Sequence, residues 1–295
     1  MKWNKFCGSF IKYSIFVIPC ILVIAAAVFW VRPPVLLVTD PSFNLLYGAD
    51  RARTKQIELS IKFFRRVLAI SVSESAASDV VAAAVKSASS LPKIVVVQEI
   101  FASGARRYKE EMPNIPVFIV EGRIPVENRQ NNAETGPAPL FLRTDTESDL
   151  LKAGIAAANL AENGDILVFQ HESLSSSNKN AFYRGLETAG YRKTPLYIDI
   201  GDDFSDWNSI SCVVITGPLA GFFELNLKIP VILFSWIDPG ITPDNVKIIF
   251  DDSPWAAAAQ WPELIKNNKN LFSSKIIFPR GRIEKKAEKI KKMIK

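Results

Sequence analysis

The chain has 295 residues, of which 48% are hydrophobic and 22% are charged, as in a folded globular protein with room for two lobes. The net charge of +6 lies at the two ends, since residues 1–32 carry four basic residues and no acid, and residues 275–295 carry nine basic residues against two glutamates. The body between them has a net charge of −5, which argues against a nucleic-acid partner. Three cysteines without metal-ligand spacing and a single histidine exclude most zinc sites, so no metal is predicted.

The N-terminal segment, residues 1–32, is predicted to be a signal anchor. Its uncharged run from Tyr13 to Val31 has 19 residues, close to the roughly 20 that a helix needs to cross a bilayer. Lysines precede the run, which places the globular part outside the cytoplasm, on the inner (cytoplasmic) membrane. The alternatives are a signal peptide cleaved near residues 25–27, with release to the periplasm, and a lipoprotein at Cys20, which the preceding proline disfavours.

Beyond this segment, short apolar runs alternate with amphipathic stretches. The predicted strands lie at residues 35–38, 68–72, 93–97, 117–120, 139–143, 166–169, 196–200, 212–215, 230–234, 246–250 and 276–278. The longest predicted helix, 45–66, has Ile57, Ile61 and Phe64 on one face. Continuous apolar strands indicate parallel sheets covered on both faces. Their number favours an α/β fold of two doubly wound parallel-sheet lobes over a single sheet.

Polar and aromatic residues follow these strands, at the end where open α/β sheets bind ligands. The predicted ligand-binding residues are Asp40, Phe43, Asn44, Glu74, Glu99, Glu121, Asp145, Gln170, His171, Thr216, Trp236 and Asp251. An aromatic ring can stack on a base or a sugar, and a carboxylate can accept from hydroxyls or pair with a cation. If the carboxylates other than Asp145 all face one cleft, the cleft is acidic and favours a cationic or hydroxyl-rich ligand. The alternative for each carboxylate is a helix cap.

Several segments resemble the type I periplasmic binding proteins, which include sugar- and nucleoside-binding receptors and the sensor domains of LacI-type repressors. Residues 139–190 hold a strand ending in Asp, a helix rich in Ala, a second strand, a Ser-rich loop and a helix that contains Arg184-Gly185. Residues 229–238, with Ile-Pro-Val-Ile and Trp-Ile-Asp, are similar to a late strand of that family. Residues 38–44 are similar to the first strand of its basic-membrane-lipoprotein branch.

The resemblance implies two discontinuous lobes joined by hinge strands. Lobe one is predicted at 33–140 plus 236–267, and lobe two at 141–235 plus 268–280. A small polar ligand, such as a nucleoside, a sugar or a cationic solute, is expected to bind between lobes that close on it. The expected partner is an ABC-type permease or a sensor, and no covalent chemistry or cofactor is expected.

The chain departs from the sugar-binding members at two places. They carry an Asn-Asp pair where this chain has Thr216-Gly217, and an arginine where it has residues 181–183. Without these groups the chain lacks the usual bidentate hydrogen bonds to sugar hydroxyls. A ligand-free envelope interaction module, with its cleft filled by its own side chains, is therefore the alternative function. An enzyme such as a two-lobed glycosyltransferase is disfavoured, because the sequence lacks the common nucleophile, phosphate-loop, dinucleotide and zinc motifs, and no catalytic residue is predicted.

The C-terminal segment, residues 281–295, is predicted to be a basic helix. Ile283, Ala287, Ile290 and Ile294 form one stripe, with lysines around it. Two interpretations stay open, a helix resting on anionic lipid and a solvated helical end.

Overall fold

The computed structural model describes most of the chain. It covers residues 3–121, 138–170, 175–199, 202, 204–216, 228–234, 236–279, 290 and 292–294, with side chains from residue 17 onward. Two predictions fall wholly or mostly elsewhere: His171 lies outside the described residues, as does the predicted helix at 281–295 apart from four positions.

The first sheet has six parallel strands. They are β1 (Val35–Thr39), β2 (Val67–Ser71), β3 (Ile94–Gln98), β4 (Val117–Val120), β5 (Leu140–Thr144) and β11 (Leu271–Phe272). Their spatial order is β11-β5-β4-β3-β1-β2, and every neighbouring pair is parallel. All five residues of β1 are buried, as expected for a central strand with helices on both faces.

The second sheet also has six strands. They are β6 (Asp165–Gln170), β7 (Leu196–Asp199), β8 (Ile210–Ile215), β9 (Val231–Phe234), β10 (Val246–Asp251) and β12 (Lys275–Ile277). Their order is β12-β10-β9-β8-β6-β7, with β12 antiparallel to β10 and the other pairs parallel. The prediction of two parallel-dominated α/β lobes is confirmed.

The described residues include eight α-helices. They are α1 (Trp3–Val31), α2 (Pro41–Tyr47), α3 (Ala49–Phe63), α4 (Ser78–Ala88), α5 (Ala102–Glu111), α6 (Thr146–Ala161), α7 (Ser176–Thr188) and α8 (Pro254–Asn267). Residues of α2, α3 and α8 share one core with the first sheet, and residues of α4 and α5 form the core on its opposite face. Helices α6 and α7 pack on the second sheet. We call the first sheet with its helices lobe one and the second lobe two.

The chain crosses between the lobes three times, and the predicted boundaries differ from the observed crossings. Strand β5 pairs with β4 in lobe one, although the prediction placed it from residue 141 in lobe two. Strand β10 pairs with β9 in lobe two, although the range 236–267 was predicted for lobe one. The short β11 returns to lobe one before β12 joins lobe two. The physical reason is backbone pairing with distant strands, which local sequence does not reveal.

The helix predicted at 45–66 is two helices, because the chain turns at Gly48. This glycine has φ +88°, a conformation that residues with a side chain rarely adopt. A Cβ atom there would lie 2.0 Å from the Oδ2 atom of Asp238, in the loop after β9. The break therefore lets α3 approach lobe two closely.

The two ends of the chain carry the predicted signal anchor and the predicted basic helix. No helix among the described residues has both the length and the apolar character needed to cross a membrane. At the C-terminus, Ile290 and Ile294 are buried in the core of lobe two, so for these two residues both the lipid-bound and the solvated interpretation are wrong. Their burial beside α6 and α7 supplies apolar area that a short helical end needs to remain folded.

Candidate functional site

The carboxyl ends of strands from both sheets meet at one place. The backbone N–H of Asp238, which follows β9, donates to the carbonyl oxygen of Leu46 in α2, which follows β1, over 2.8 Å. The rings of Phe43 and Trp236 lie 5.1 Å apart between centroids. This is the edge at which open α/β sheets place ligands. We call it the interlobe contact, formed by Phe43, Leu46, Tyr47 and Arg51 of lobe one and Trp236, Ile237, Asp238 and Asp251 on the other side.

Arg51 joins the two sides of the interlobe contact. Its Nη2 atom lies 2.6 Å from Oδ2 of Asp251, and its Nη1 atom donates to the carbonyl oxygens of Trp236 and Ile237 over 3.1 and 2.8 Å. Its guanidinium carbon also lies 4.0 Å from the centroid of the Tyr47 ring. The planar fork of arginine suits several fixed acceptors and a ring face at once.

Arg51 was not among the predicted site residues. A signal for it exists in the sequence, because Arg51, Lys55 and Leu59 recur at helical spacing and form the inward face of α3. The predicted apolar face of this helix, with Ile57, Ile61 and Phe64, is the opposite face from the one that carries Arg51. The recurrence of Arg51 and Lys55 in line with the apolar Leu59 is therefore the sequence pattern that would have identified Arg51.

Burial sets the protonation chemistry around Arg51. Asp251 is fully buried, which raises its pKa, while Arg51 and the backbone N–H of Ser253 oppose that rise. Burial, followed by the nearby charge of Asp251, raises the pKa of Tyr47 far above its ordinary value. Tyr47 is therefore a neutral phenol at physiological pH, and its ring serves the arginine as an apolar platform.

Aromatic rings fill the space behind the interlobe contact. Phe43 is stacked on Tyr47 with ring centroids 5.3 Å apart, and Trp255 lies 6.5 Å from Tyr47. Phe43 is 1% exposed, and Trp236 covers it from lobe two. The two aromatic residues predicted to stack on a ligand are thus brought together, and their rings contact each other in a tilted arrangement with 58° between the ring planes.

The polar residues after β1 bind to their own lobe. Asp40 Oδ1 accepts from the backbone N–H of Phe43 over 2.6 Å and caps α2, which is the capping alternative considered for each carboxylate. Asn44 accepts from the Thr39 hydroxyl over 3.0 Å and donates to the Ser71 hydroxyl over 3.2 Å. Asn44 is half-buried and lies beside the interlobe contact.

The remaining candidates of lobe one do not form a single acidic wall. Glu121 is buried and lies 2.6 Å from Nε of Arg143, so its charge is compensated. Asp145 caps α6 and lines a cavity of about 330 Å³ between α8 and the segment around β11. Glu74 is exposed, and Glu99 is half-buried at the start of a 3-10 turn. With Asp251 paired to Arg51, the cleft is less acidic than predicted.

Lobe two contributes Gln170 and Thr216 at adjacent strand ends. The amide nitrogen of Gln170 donates to Oδ1 of Asp199 over 3.0 Å, and the Thr216 hydroxyl donates to the carbonyl oxygen of Phe169 over 3.1 Å. The amide oxygen of Gln170 is buried and has no hydrogen-bond partner within the described part of the chain. A buried acceptor of this kind costs free energy unless something donates to it.

Comparison with known proteins gives the fold its name. No family model matches the chain, and no curated protein sequence matches it. Among solved structures it is similar to a transcriptional activator of the comK gene from Bacillus halodurans, with a TM-score of 0.56 and 10% identity, covering 89% of this chain and 96% of that one. The fold is that of the type I periplasmic binding proteins.

Two similar structures are binding proteins of transporters. One is an ABC transporter periplasmic solute-binding protein from Actinobacillus succinogenes with bound D-allose, with a TM-score of 0.51, 12% identity and coverage of 88% and 100%. The other is a sugar-binding protein of a sugar ABC transporter from Bacillus halodurans, with a TM-score of 0.52, 12% identity and coverage of 85% and 98%. At these identities the likeness concerns the type I fold alone.

A second ionic cluster lies where the type I fold crosses between its lobes. Lys55 of α3 is buried, and its Nζ atom lies 2.7 Å from Oε2 of Glu58. The Nζ atom of Lys275, in β12 of lobe two, lies 4.0 Å from the same oxygen. Partial burial, together with the neighbouring Lys55, lowers the pKa of Lys275 to about 8.

This cluster predicts a pH-dependent stability at Lys275. The unfolded chain has the ordinary lysine pKa of 10.5, so between about pH 8 and 10.5 it binds more protons at this position than the folded chain. The contribution of Lys275 to the free energy of unfolding therefore rises with pH through this window and is lost as pH falls through about 8. Urea unfolding measures the free energy of unfolding of the wild type and of Lys275→Met on either side of pH 8. As pH rises, the wild type should gain stability relative to the variant.

The control for this measurement is Lys266→Met, which removes one positive charge from the exposed end of α8. If Lys275→Met and the wild type give parallel stability curves across the window, the local origin of the pH dependence is refuted.

Proposed function

We propose that the chain is an extracytoplasmic solute-binding protein that captures a small polar ligand between its lobes for an ABC-type permease or a sensor, without covalent chemistry. The observation that carries this proposal is the meeting of strand carboxyl ends from both sheets at the interlobe contact. Structures of the same fold include one with bound D-allose, which supports a polar ligand for this site.

The polar groups at the carboxyl ends of strands in both lobes indicate what the ligand offers. The buried amide oxygen of Gln170 requires a donor, such as a hydroxyl or an ammonium group. Asn44, Glu74 and Glu99 follow strands of lobe one and present amide or carboxylate oxygens. This set favours a ligand rich in donors, such as a nucleoside, a sugar or a cationic solute. We retain Thr216, His171 and the other predicted residues as secondary candidates.

Ligand binding is tested by thermal unfolding of the full chain in detergent with a panel of nucleosides, sugars, amino acids and polyamines. A ligand at 100 times its Kd should stabilise the folded chain by about 2.7 kcal/mol. Native mass spectrometry of the purified chain should reveal co-purified solutes. We expect Gln170→Met to abolish the shift, because it removes the free acceptor with little change in side-chain volume.

The matched control is Gln260→Met. The amide oxygen of Gln260 already accepts from the backbone N–H of Ser273 over 3.1 Å, so it has an internal donor that the amide oxygen of Gln170 lacks. This variant should lose stability and keep the ligand-induced shift. Equal loss of the shift in both variants would mean that Gln170 does not contact the ligand.

A ligand-free interaction module is the second candidate function, and one observation favours it. Trp236 covers Phe43, and Arg51 bonds to Asp251 across the lobes. The side chains that would stack on a solute therefore occupy part of the cleft themselves. If no compound of the panel shifts the thermal unfolding of either the wild type or Arg51→Ala, the solute-binding proposal is refuted and the interaction module is favoured.

We further propose that residues 1–32 anchor the chain in the inner membrane. The support is the uncharged run of 19 residues, with Val17, Ile21, Leu22 and Ile24 among its exposed apolar side chains. Alkaline extraction of membranes should leave the wild type in the pellet at its uncleaved mass. Leu22→Arg should release it, since a central arginine costs about 2.5–3.5 kcal/mol on insertion scales, whereas Leu22→Phe should not. A shortened chain in the soluble fraction would show cleavage and release instead.

A further inference from the structure

Helix α3 carries an apolar stripe that faces away from the protein. Ile57 is 53% exposed, Ile61 is 73% exposed and Phe64, which caps the helix, is 39% exposed. They recur at the i, i+4 and i+7 spacing of one helical face, opposite the buried Lys55 and Leu59. We call Ile57, Ile61 and Phe64 the α3 stripe.

The N-terminal helix leaves lobe one at the end of the α3 stripe. Phe29 of α1 lies 5.8 Å from Phe64 between ring centroids, and the guanidinium of Arg66 lies 5.1 Å from the Trp30 ring. Nη1 of Arg65 donates to the carbonyl oxygen of Pro33 over 3.2 Å. Three residues, 32–34, separate α1 from β1, a reach of roughly 10 Å when extended. Whatever surrounds the exposed end of α1 is therefore also close to the stripe.

Basic side chains flank the α3 stripe. Arg53 and Lys62 are exposed on α3, Arg65 and Arg66 follow it, and the guanidinium of Arg32 lies 5.2 Å from the Phe64 ring. Of the two acidic residues on α3, Glu58 is paired with Lys55, and Asp50 lies in the first turn, at the end of the helix away from Phe64. Apolar residues bordered by lysine and arginine are the composition of helices that lie in the interface of an anionic membrane.

We propose that the α3 stripe rests on the surface of an anionic lipid bilayer and holds lobe one in a fixed orientation against the membrane. The inference relies on the proposed anchor to bring the bilayer within reach. Lipid fits the stripe because the stripe continues the apolar surface of α1 at the Phe29–Phe64 contact, and because cations border it. In this arrangement α4 and α5, on the opposite face of the first sheet, point away from the membrane.

The test places an environment-sensitive NBD label at single cysteines of the full chain. In a Cys7→Ser/Cys20→Ser background, which leaves the buried Cys212, the labelled variants are Ile61→Cys on the stripe, Leu22→Cys in α1 and Val80→Cys on α4. Val80 is the matched control, being 52% exposed on the opposite face of the same sheet. Each is reconstituted into vesicles of phosphatidylcholine and phosphatidylglycerol in equal parts, with and without doxyl-labelled lipid.

We expect doxyl lipid to lower the emission at residue 61 by roughly twofold, because an interfacial side chain lies within about 5–10 Å of the acyl boundary. Emission at residue 80 should not change. Quenching at 22 without quenching at 61 would overturn the lipid contact and leave the anchor intact. Quenching at 61 without quenching at 22 would support the contact and refute the anchor. Quenching at neither residue refutes both, and a blue shift at 61 without quenching, increasing with protein density, would indicate a second copy and overturn the proposal.

Discussion

Replacing Arg51 with alanine is expected to lower the free energy of unfolding by about 3–5 kcal/mol, because Asp251 would stay buried without its counter-charge. The carbonyl oxygens of Trp236 and Ile237 would also lose their donor. Urea unfolding followed by tryptophan fluorescence and circular dichroism measures the loss. Because these contacts join the two lobes, small-angle scattering should also show a larger radius of gyration for the variant.

The matched control is Arg53→Ala, an exposed arginine on the same helix, which should change stability by no more than about 0.5 kcal/mol. Arg51→Lys should fall between the two, since lysine keeps the charge and lacks the planar fork. Similar losses at positions 51 and 53, with unchanged scattering, would show that Arg51 does not hold the lobes together.

Replacing Trp255 with alanine is expected to cost a similar amount, about 3–5 kcal/mol, for a different reason. Trp255 is 1% exposed in the core that α2, α3 and α8 share, and it lies just after the crossing at Asp251. Its removal leaves a cavity behind Tyr47, which supports Arg51. Chemical unfolding gives the size of the loss.

Trp255→Phe separates the cavity from the chemistry of the indole. The Nε1 atom of Trp255 is buried with no hydrogen-bond partner in the part of the chain that the structure describes, so a phenyl ring sacrifices no hydrogen bond. We expect a cost below about 1.5 kcal/mol. If phenylalanine destabilised the chain as much as alanine does, the indole would have a role beyond filling space.

The sequence predicts most of the strands well because buried strands consist of continuous apolar runs. The run predicted at 35–38 is β1 (Val35–Thr39), and the run at 246–250 is β10 (Val246–Asp251). The two-residue β11 carries no such pattern and was missed. Its existence depends on pairing with Arg143 and Thr144, and the lobe boundaries depend on the same pairing. Pairing between strands that are distant in the sequence therefore determines β11 and the lobe boundaries, and the local sequence pattern does not reveal that pairing.

The sequence indicates which strand-end residues come together better than it indicates what they bond to. Strand-end residues such as Phe43, Trp236 and Asp251 do meet, as parallel-sheet topology requires. Their contacts differ from the prediction because each of the three has a partner inside the protein, on the other lobe. Arg51 lies 200 residues from Asp251, so nothing near either residue reveals the pair. Capping by Asp40, in contrast, is a local property and was among the alternatives.

The threefold crossing of the chain has a consequence for biosynthesis. Lobe one lacks its covering helix α8 and its edge strand β11 until the ribosome has passed Phe272, and lobe two lacks β12 and the buried Ile290 and Ile294 until still later. Domains usually fold one after another as they emerge from the ribosome. Here neither core is complete until the chain has been made at least as far as Phe272. Folding is therefore a late event shared by both lobes, and any factor that binds the chain before that point has to keep both lobes unfolded.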